Sequence, residues 1–339
     1  PEVSPQGDRF GNSLSISSTG ETLVVGSFRD DENDTGAAYV FQSGSAGYQQ
    51  IQKLTASFGT DGLPKVDPTN DWFGVSVTIS SNGEIIAVGA HVDEEASTGG
   101  GAAGSVYIFA SGSGGYQQVQ KLTASFDTNG LPEVPSSRTF GRHTAFSLTG
   151  EILAVGAYFD QENNGAVAGA VYIFTSGSGG YQQIQKLTAS FGTDGLPEVS
   201  PEGDQFGTFV TLSQTGETLA VGAWNDEENN GAYAGAAYIF ASGSGGYQQV
   251  QKLTASNSIS PPGDFFGVPV LLSANGEKLF IASTGDEDNG FDSGAVYVFQ
   301  SGSNGYQQVD KLIASGDAEP SNDWFGGSLV CTTDGNTLI

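Results

Sequence analysis

Apolar and polar residues alternate in short runs along the whole chain. In FGVSVTISS (73–81), Val75, Val77 and Ile79 are separated by Ser76 and Thr78, the period of a half-buried strand. A tight turn, NGE or TGE, follows each such run, and then a second apolar run such as IIAVGA (85–90). After an acidic loop comes a third run, GAVYIF (169–174). A Gly/Ser turn, SGSGG, leads to a fourth, YQQVQKLTAS (116–125). The pattern predicts four short antiparallel strands per unit, joined by turns rich in Gly, Asn and Ser. No stretch has helical periodicity.

The unit repeats. Phe-Gly opens it at Phe10, Phe73, Phe140, Phe206, Phe266 and Phe325, every 59–67 residues. Four-stranded sheets repeated about an axis bury their faces without leaving long open edges, which is the propeller solution. The glycine after each Phe is expected where inner strands crowd the axis. Three junctions between units carry a near-identical insertion: FGTDGLPKV (58–66), FDTNGLPEV (126–134) and FGTDGLPEV (191–199).

The FG, VGA and GAVYVF elements, in register over the chain, resemble the FG-GAP repeat of integrin-alpha-like β-propellers. The resemblance implies a propeller, most often seven-bladed, an extracellular or cell-surface setting, and a role in adhesion or recognition. One family feature does not carry over. The integrin calcium loop lies between the first and second strands, where this chain has SSTGET, SSNGEI and similar turns without a carboxylate cluster.

The expected fold is all-β: one propeller over residues 1–339, with five complete blades and half of a sixth, and six or seven in the intact protein. PEVSPQGDRFG at the start matches PEVSPEGDQFG at 197–207, so residue 1 enters mid-linker, and GNTLI at the end aligns with GETLV at 20–24. In an up-and-down blade the TGE and SGSGG turns share one face. The acidic loops and the insertions share the other.

Charge narrows the function classes. The chain has 38 acidic against 11 basic residues, a net −27. That argues against nucleic acid, whose binders need clustered Lys and Arg, and against attraction to anionic lipid. A single cysteine allows no internal disulfide, and no apolar run approaches a membrane span.

The acidic loops are the candidate chemistry. Asp30, Asp93, Asp160, Asp226 and Asp286 align, with a second acid two residues on. Oxygens at alternate loop positions suit calcium. The candidate ligand sets are Asp30, Glu32 and Asp34; Asp160, Glu162 and Asn164; Asp226, Glu228 and Asn230; and Asp286, Asp288 and Asp292. The alternative is a solvated turn in which Asp and Asn bond their own backbone. Asp8, Asp71, Asp204, Asp264 and Asp323, two before every Phe except Phe140, where Arg138 stands, read as caps on the turn into the first strand. Lys53, Lys121, Lys186, Lys252 and Lys311 recur on the fourth strand and read as guards against edge-to-edge pairing. Arg138, Arg142 and His143 form a local basic cluster, expected to pair with the acidic loops. Cys331 reads as a small core residue, and Asn33 opens a glycosylation sequon.

No nucleophile–base pair recurs, and His91 and His143 are non-equivalent. The expectation is therefore a non-enzymatic extracellular recognition, adhesion or structural module, with calcium as cofactor and a protein, a glycan or its own copies as partner. Two alternatives stay open. One is a surface-layer or filament subunit assembling through Phe58, Leu63, Phe126, Leu131, Phe191 and Leu196 of the insertions. The other is a scaffold for an enzymatic domain elsewhere.

Overall fold

The computed structural model describes residues 7–30, 34–58, 70–94, 103–126, 129–130, 139–161, 167–191, 203–227, 233–255, 263–315 and 323–339. Among them are twenty strands in five four-stranded antiparallel sheets and no helix. The first sheet holds β1 (Phe10–Ile16), β2 (Thr22–Ser27), β3 (Ala37–Gly44) and β4 (Gly47–Leu54). The second holds β5 (Ser76–Ile79), β6 (Ile85–Ala90), β7 (Ser105–Gly112) and β8 (Gly115–Leu122). The third holds β9 (His143–Phe146), β10 (Ile152–Ala157), β11 (Ala170–Gly177) and β12 (Gly180–Leu187). The fourth holds β13 (Phe209–Leu212), β14 (Thr218–Ala223), β15 (Ala236–Gly243) and β16 (Gly246–Leu253). The fifth holds β17 (Phe266–Leu272), β18 (Lys278–Ser283), β19 (Ala295–Gly302) and β20 (Gly305–Ile313). Each sheet runs first to fourth in chain order, the signature of a propeller blade.

The chain divides into two compact units, residues 1–160 with 172–186, and residues 161–171 with 187–339. Within the first unit β1 packs on β5 and β5 on β9; within the second β13 packs on β17. Five blades are formed. The expected sixth half-blade contributes one bridge, Cys331 to Leu338, in place of two paired strands. Cys331 is half-buried, against a small cluster that includes Phe280, Val296 and Val298.

Four of the Phe-Gly phenylalanines, Phe73, Phe140, Phe206 and Phe266, are buried inside their own blades. Phe73 is 1% exposed and meets Tyr107 and Phe109 edge-on at 5.3 and 6.0 Å. Its glycine is needed for a different reason from the expected one. A Cβ on Gly74, at φ +93°, would lie 2.2 Å from the carbonyl oxygen of Ala37 at the start of β3. The crowding is against the third strand of the preceding blade, not against the axis. The residue before each Phe is also left-handed, from Trp324 at φ 50° to Arg9 at φ 58°.

The turns share a face as expected. Tyr116, just after the turn between β7 and β8, donates its hydroxyl to the carbonyl of Gly83, in the turn between β5 and β6. Tyr181, Tyr247 and Tyr306 do the same with Gly150, Gly216 and Gly276.

The fourth strand is the seam between blades. Ile51, Val119, Val250 and Val309 are bulge residues: Val40 pairs Gln52 while Phe41 pairs Gln50, and the other sheets match. A bulge adds one residue and reverses the alternation. Gln118 and Gln120 therefore point to opposite faces. Gln118 Oε1 accepts the Ser57 N–H at 2.7 Å, and its Nε2 donates to the Phe58 carbonyl at 2.9 Å, in the preceding blade. Gln120 exchanges two 2.8 Å bonds with the backbone of Tyr181 in the following one. Gln183 and Gln249 hold Phe126 and Phe191 in the same way. Each insertion thus begins with a half-buried Phe clamped by the next blade. Leu63, Leu131 and Leu196 lie outside the described residues. In the first sheet Phe10, Leu14 and Ile16 stay 51–61% exposed.

Candidate functional site

Each loop between second and third strands opens on a buried aspartate. The lysine of the same blade's fourth strand reaches it. Lys53 lies 2.8 Å from Asp30, Lys121 3.0 Å from Asp93, and Lys186 3.0 Å from Asp160. Lys252 lies 2.9 Å from Asp226, and Lys311 2.7 Å from Asp286. A third-strand tyrosine donates its hydroxyl to the same carboxylate: Tyr107 to Asp93 at 2.6 Å, Tyr238 to Asp226 at 2.5 Å, Tyr297 to Asp286 at 2.7 Å. Tyr39 and Tyr172 serve Asp30 and Asp160. Tyr and Lys are direct cross-strand partners, as in Tyr107↔Lys121, and each ammonium sits 4.9–5.4 Å from its ring centroid. Burial, the hydrogen bond to Asp286 and its charge push the Tyr297 phenol far above its usual range.

These lysines do not guard an edge. They neutralise a carboxylate inside the blade, and the bulge blunts the edge in their place. A calcium ion at Asp30, Asp160, Asp226 or Asp286 would have to displace a lysine. Asp288 also lies on Lys311, at 2.5 Å, while Asp34 approaches Arg29 at 4.0 Å. Asp292 is half-buried with φ 49°. Glu32, Glu162, Asn164, Glu228 and Asn230, like Asn33 and Arg138, lie outside the described residues. Among the described residues no group of three or more His, Cys, Asp or Glu is arranged to hold a metal. Three of the four candidate calcium sets thus include residues outside the described ones, and in the fourth Asp286 and Asp288 are held by Lys311.

Asp8, Asp71, Asp204 and Asp264 are buried, and their backbone carbonyls accept the N–H groups of Arg29, Val92, Asn225 and Gly285. Each thus ties the loop after the second strand to the approach to the first. Asp323 is exposed.

One part of this loop face departs from the repeat. The position after the second strand holds Phe28, His91, Tyr158, Trp224 and Thr284 in the five blades. His91 is the lone imidazole among them, 5% exposed, with no hydrogen-bond partner at Nδ1. Burial, then the charge of Arg142, lowers its pKa to about 3, so it is neutral. The Trp72 ring stands between Phe28 and His91, 5.3 Å from each. The Arg29 guanidinium lies 5.3 Å over Trp72. Arg142 forms no ion pair among the described residues, and much of the acidic loops it was expected to meet lies outside them. Sequence reasoning had the signal for this cluster in the aligned repeats, as one-off residues, and passed over it for the repeated acids.

The family model of the FG-GAP repeat matches residues 4–41, 48–109, 181–240 and 247–299. The chain belongs to the FG-GAP repeat family. No curated protein matches its sequence. Among solved structures it is similar to the periplasmic gluconolactonase PpgL of Pseudomonas aeruginosa. That match has 15% identity and a TM-score of 0.55, over 97% of this chain and 77% of that one. It is similar also to a candidate 6-phosphogluconolactonase from Bacteroides uniformis, at 14% identity and TM-score 0.55, over 97% and 76%. A protein of unknown function from Desulfotomaculum acetoxidans matches at 11% identity and TM-score 0.57, over 98% and 78%.

These likenesses carry the fold, and they correct the functional expectation. A non-enzymatic adhesion, surface-layer or scaffold module was inferred from repeats without a repeated catalytic pair. Proteins named as lactonases share the fold over nearly the whole chain, so the absence of a recurring pair does not exclude an enzyme. A catalytic group needs to occur only once in a repeat array.

Proposed function

We propose that this FG-GAP propeller is a hydrolase that opens a small sugar-derived lactone at the loop face of its first unit. The observation that carries the reading is His91, a neutral buried imidazole with an unpartnered Nδ1 beside the Trp72 ring. Small-molecule sites pair aromatic walls with a few placed polar groups. Here Trp72 would take the apolar face of the sugar ring. In the reaction a water oxygen bonds to the lactone carbonyl carbon, the ring C–O bond breaks, and a proton passes from the water to the leaving ring oxygen. A proton affinity as low as that of His91 suits a group that accepts a hydrogen bond from the water and orients it, without storing its proton. The fold shared with proteins named gluconolactonase supports the choice of a lactone. Asp30, Asp160, Asp226 and Asp286 already hold lysines, and the reading gives them no metal role.

The test is the opening of D-glucono-1,5-lactone and a panel of aldonolactones, followed by pH-stat against the spontaneous rate. Acceleration by the wild-type chain that is lost in His91→Gln and Trp72→Ala, with their melting intact, is expected. No acceleration with any lactone of the panel ends the reading. For the intact protein we propose six or seven blades, from the further Phe-Gly repeat that opens at Phe325; a full-length structure with five blades would refute that.

A further inference from the structure

We propose that the same loop face holds an oxyanion, a carboxylate or phosphate carried by a small organic ligand, between Arg29, Arg142 and the Trp72–His91 pair. This rests on the lactone reading only for its location; the groups that argue for it are others.

The chain carries 38 acidic residues and only four arginines, Arg9, Arg29, Arg138 and Arg142, and all four precede residue 143. Arg29 and Arg142 have no arginine or lysine counterpart in the other blades. Their aligned positions hold Val92, Phe159, Asn225 and Gly285, and Asn12, Val75, Thr208 and Val268. Among the described residues neither makes an ion pair closer than 4.0 Å. The carboxylate facing Arg29 is Asp34, at 4.0 Å from Nε, beyond hydrogen-bond reach, and that Nε is buried with no hydrogen-bond partner. Its guanidinium carbon lies 5.8 and 5.3 Å from the ring centroids of Phe28 and Trp72. A guanidinium offers five donors in a fixed fork that matches carboxylate and phosphate. Arg142 is half-buried, its position set by a 3.1 Å backbone bond to the Thr139 carbonyl. The Arg142 charge also bears on the imidazole: after burial it is the second cause that lowers the His91 pKa.

The second unit shows the same aromatic arrangement without the charge. Trp224 packs on Phe265 at 5.5 Å, but its Nε1 donates to Gln205 Oε1 at 3.0 Å, and Asn225 Nδ2 donates to the Gly203 carbonyl at 2.6 Å. There the side-chain donors are satisfied from within. In the first unit an oxyanion would supply what Arg29 lacks, through charge-assisted bonds.

The experiment uses the full chain carrying Trp224→Phe and Trp324→Phe, which leaves Trp72 as the sole tryptophan reporter. Inorganic phosphate, D-gluconate and neutral D-glucose are titrated at constant ionic strength. A saturable 1:1 fluorescence change with phosphate or gluconate, and none with glucose, is expected. Arg29→Gln and Arg142→Gln should each weaken it about tenfold or more, and Arg29→Lys less. A response to phosphate alone would assign a phosphate ligand; to gluconate alone, a carboxylate. Chloride reproducing the change, or both Gln variants binding as wild type with unchanged circular-dichroism melts, would overturn the proposal. Saturable binding without lactone opening would leave the oxyanion site standing and end the hydrolase reading. Lactone opening indifferent to both Gln variants would do the reverse.

Discussion

The five fourth-strand lysines and the arginines of the first unit carry the same charge and do different work. Each lysine is locked within 3.0 Å of a buried aspartate, under a tyrosine hydroxyl, and the arrangement recurs in every blade. Arg29 has one carboxylate at 4.0 Å, and Arg142 no ion pair among the described residues. What every blade repeats is architecture, because each blade must solve the same burial problem. What occurs once is free of that demand, and it is where a site for chemistry is to be sought.

The comparison is most sharply broken by removing one partner of a lysine pair. Lys186→Met leaves Asp160 buried without its counter-charge, which costs about 3–5 kcal/mol. Arg29→Gln or Arg142→Gln should change stability by no more than about 0.5 kcal/mol. Chemical denaturation of the three variants checks this. An arginine loss as large as the lysine loss would show that the arginines are structural too.

Acid should act through His91. Its folded pKa, about 3, lies below the unfolded 6.5, so the unfolded chain binds the proton first. Stability from this residue is fully present above pH 6.5 and is lost as pH falls toward 3. Relative to His91→Gln, the wild type should give up about 3 kcal/mol between pH 6.5 and pH 4. Parallel pH profiles for the two proteins would contradict a buried neutral imidazole.

Smaller effects come from the seams. Gln120→Ala removes two bonds to Tyr181 and should cost about 1–3 kcal/mol. Gln50→Ala, in the first sheet, should cost about 0–0.5 kcal/mol. Equal losses would mean that the amide clamp is not what joins the blades. Smallest of all should be the response to calcium. With the first aspartate of each loop held by lysine, millimolar calcium should raise Tm no more than magnesium does. A calcium-specific rise would restore the loops as metal sites.

Much of the fold was legible. The alternation at Val75, Val77 and Ile79, the turns and the Phe-Gly period predicted four strands per blade, and β5 to β8 follow them. Of the candidate site, the loop face was legible from turn order, and the acids on it were correctly aligned. Their use was not. Lys121 and Asp93 are 28 residues apart in sequence, and nothing local shows that Tyr107, opposite Lys121, brings the ammonium over the carboxylate. The exposed lysine of an edge strand and the buried lysine of an ion pair look alike in YQQVQKL.

By itself the sequence determined the repeat, the strand content and the order of strands in each sheet. These follow from periodicity and turn chemistry, which act over a few residues. Tertiary structure decided which charges are spent. The bulge at Val119 sends Gln118 and Gln120 to opposite neighbours, and the pairing of β7 with β8 sets Lys121 on Asp93. Burial then fixed the ionisation of His91, because the cost of a charge depends on what surrounds it, and those surroundings come from residues far away in the chain.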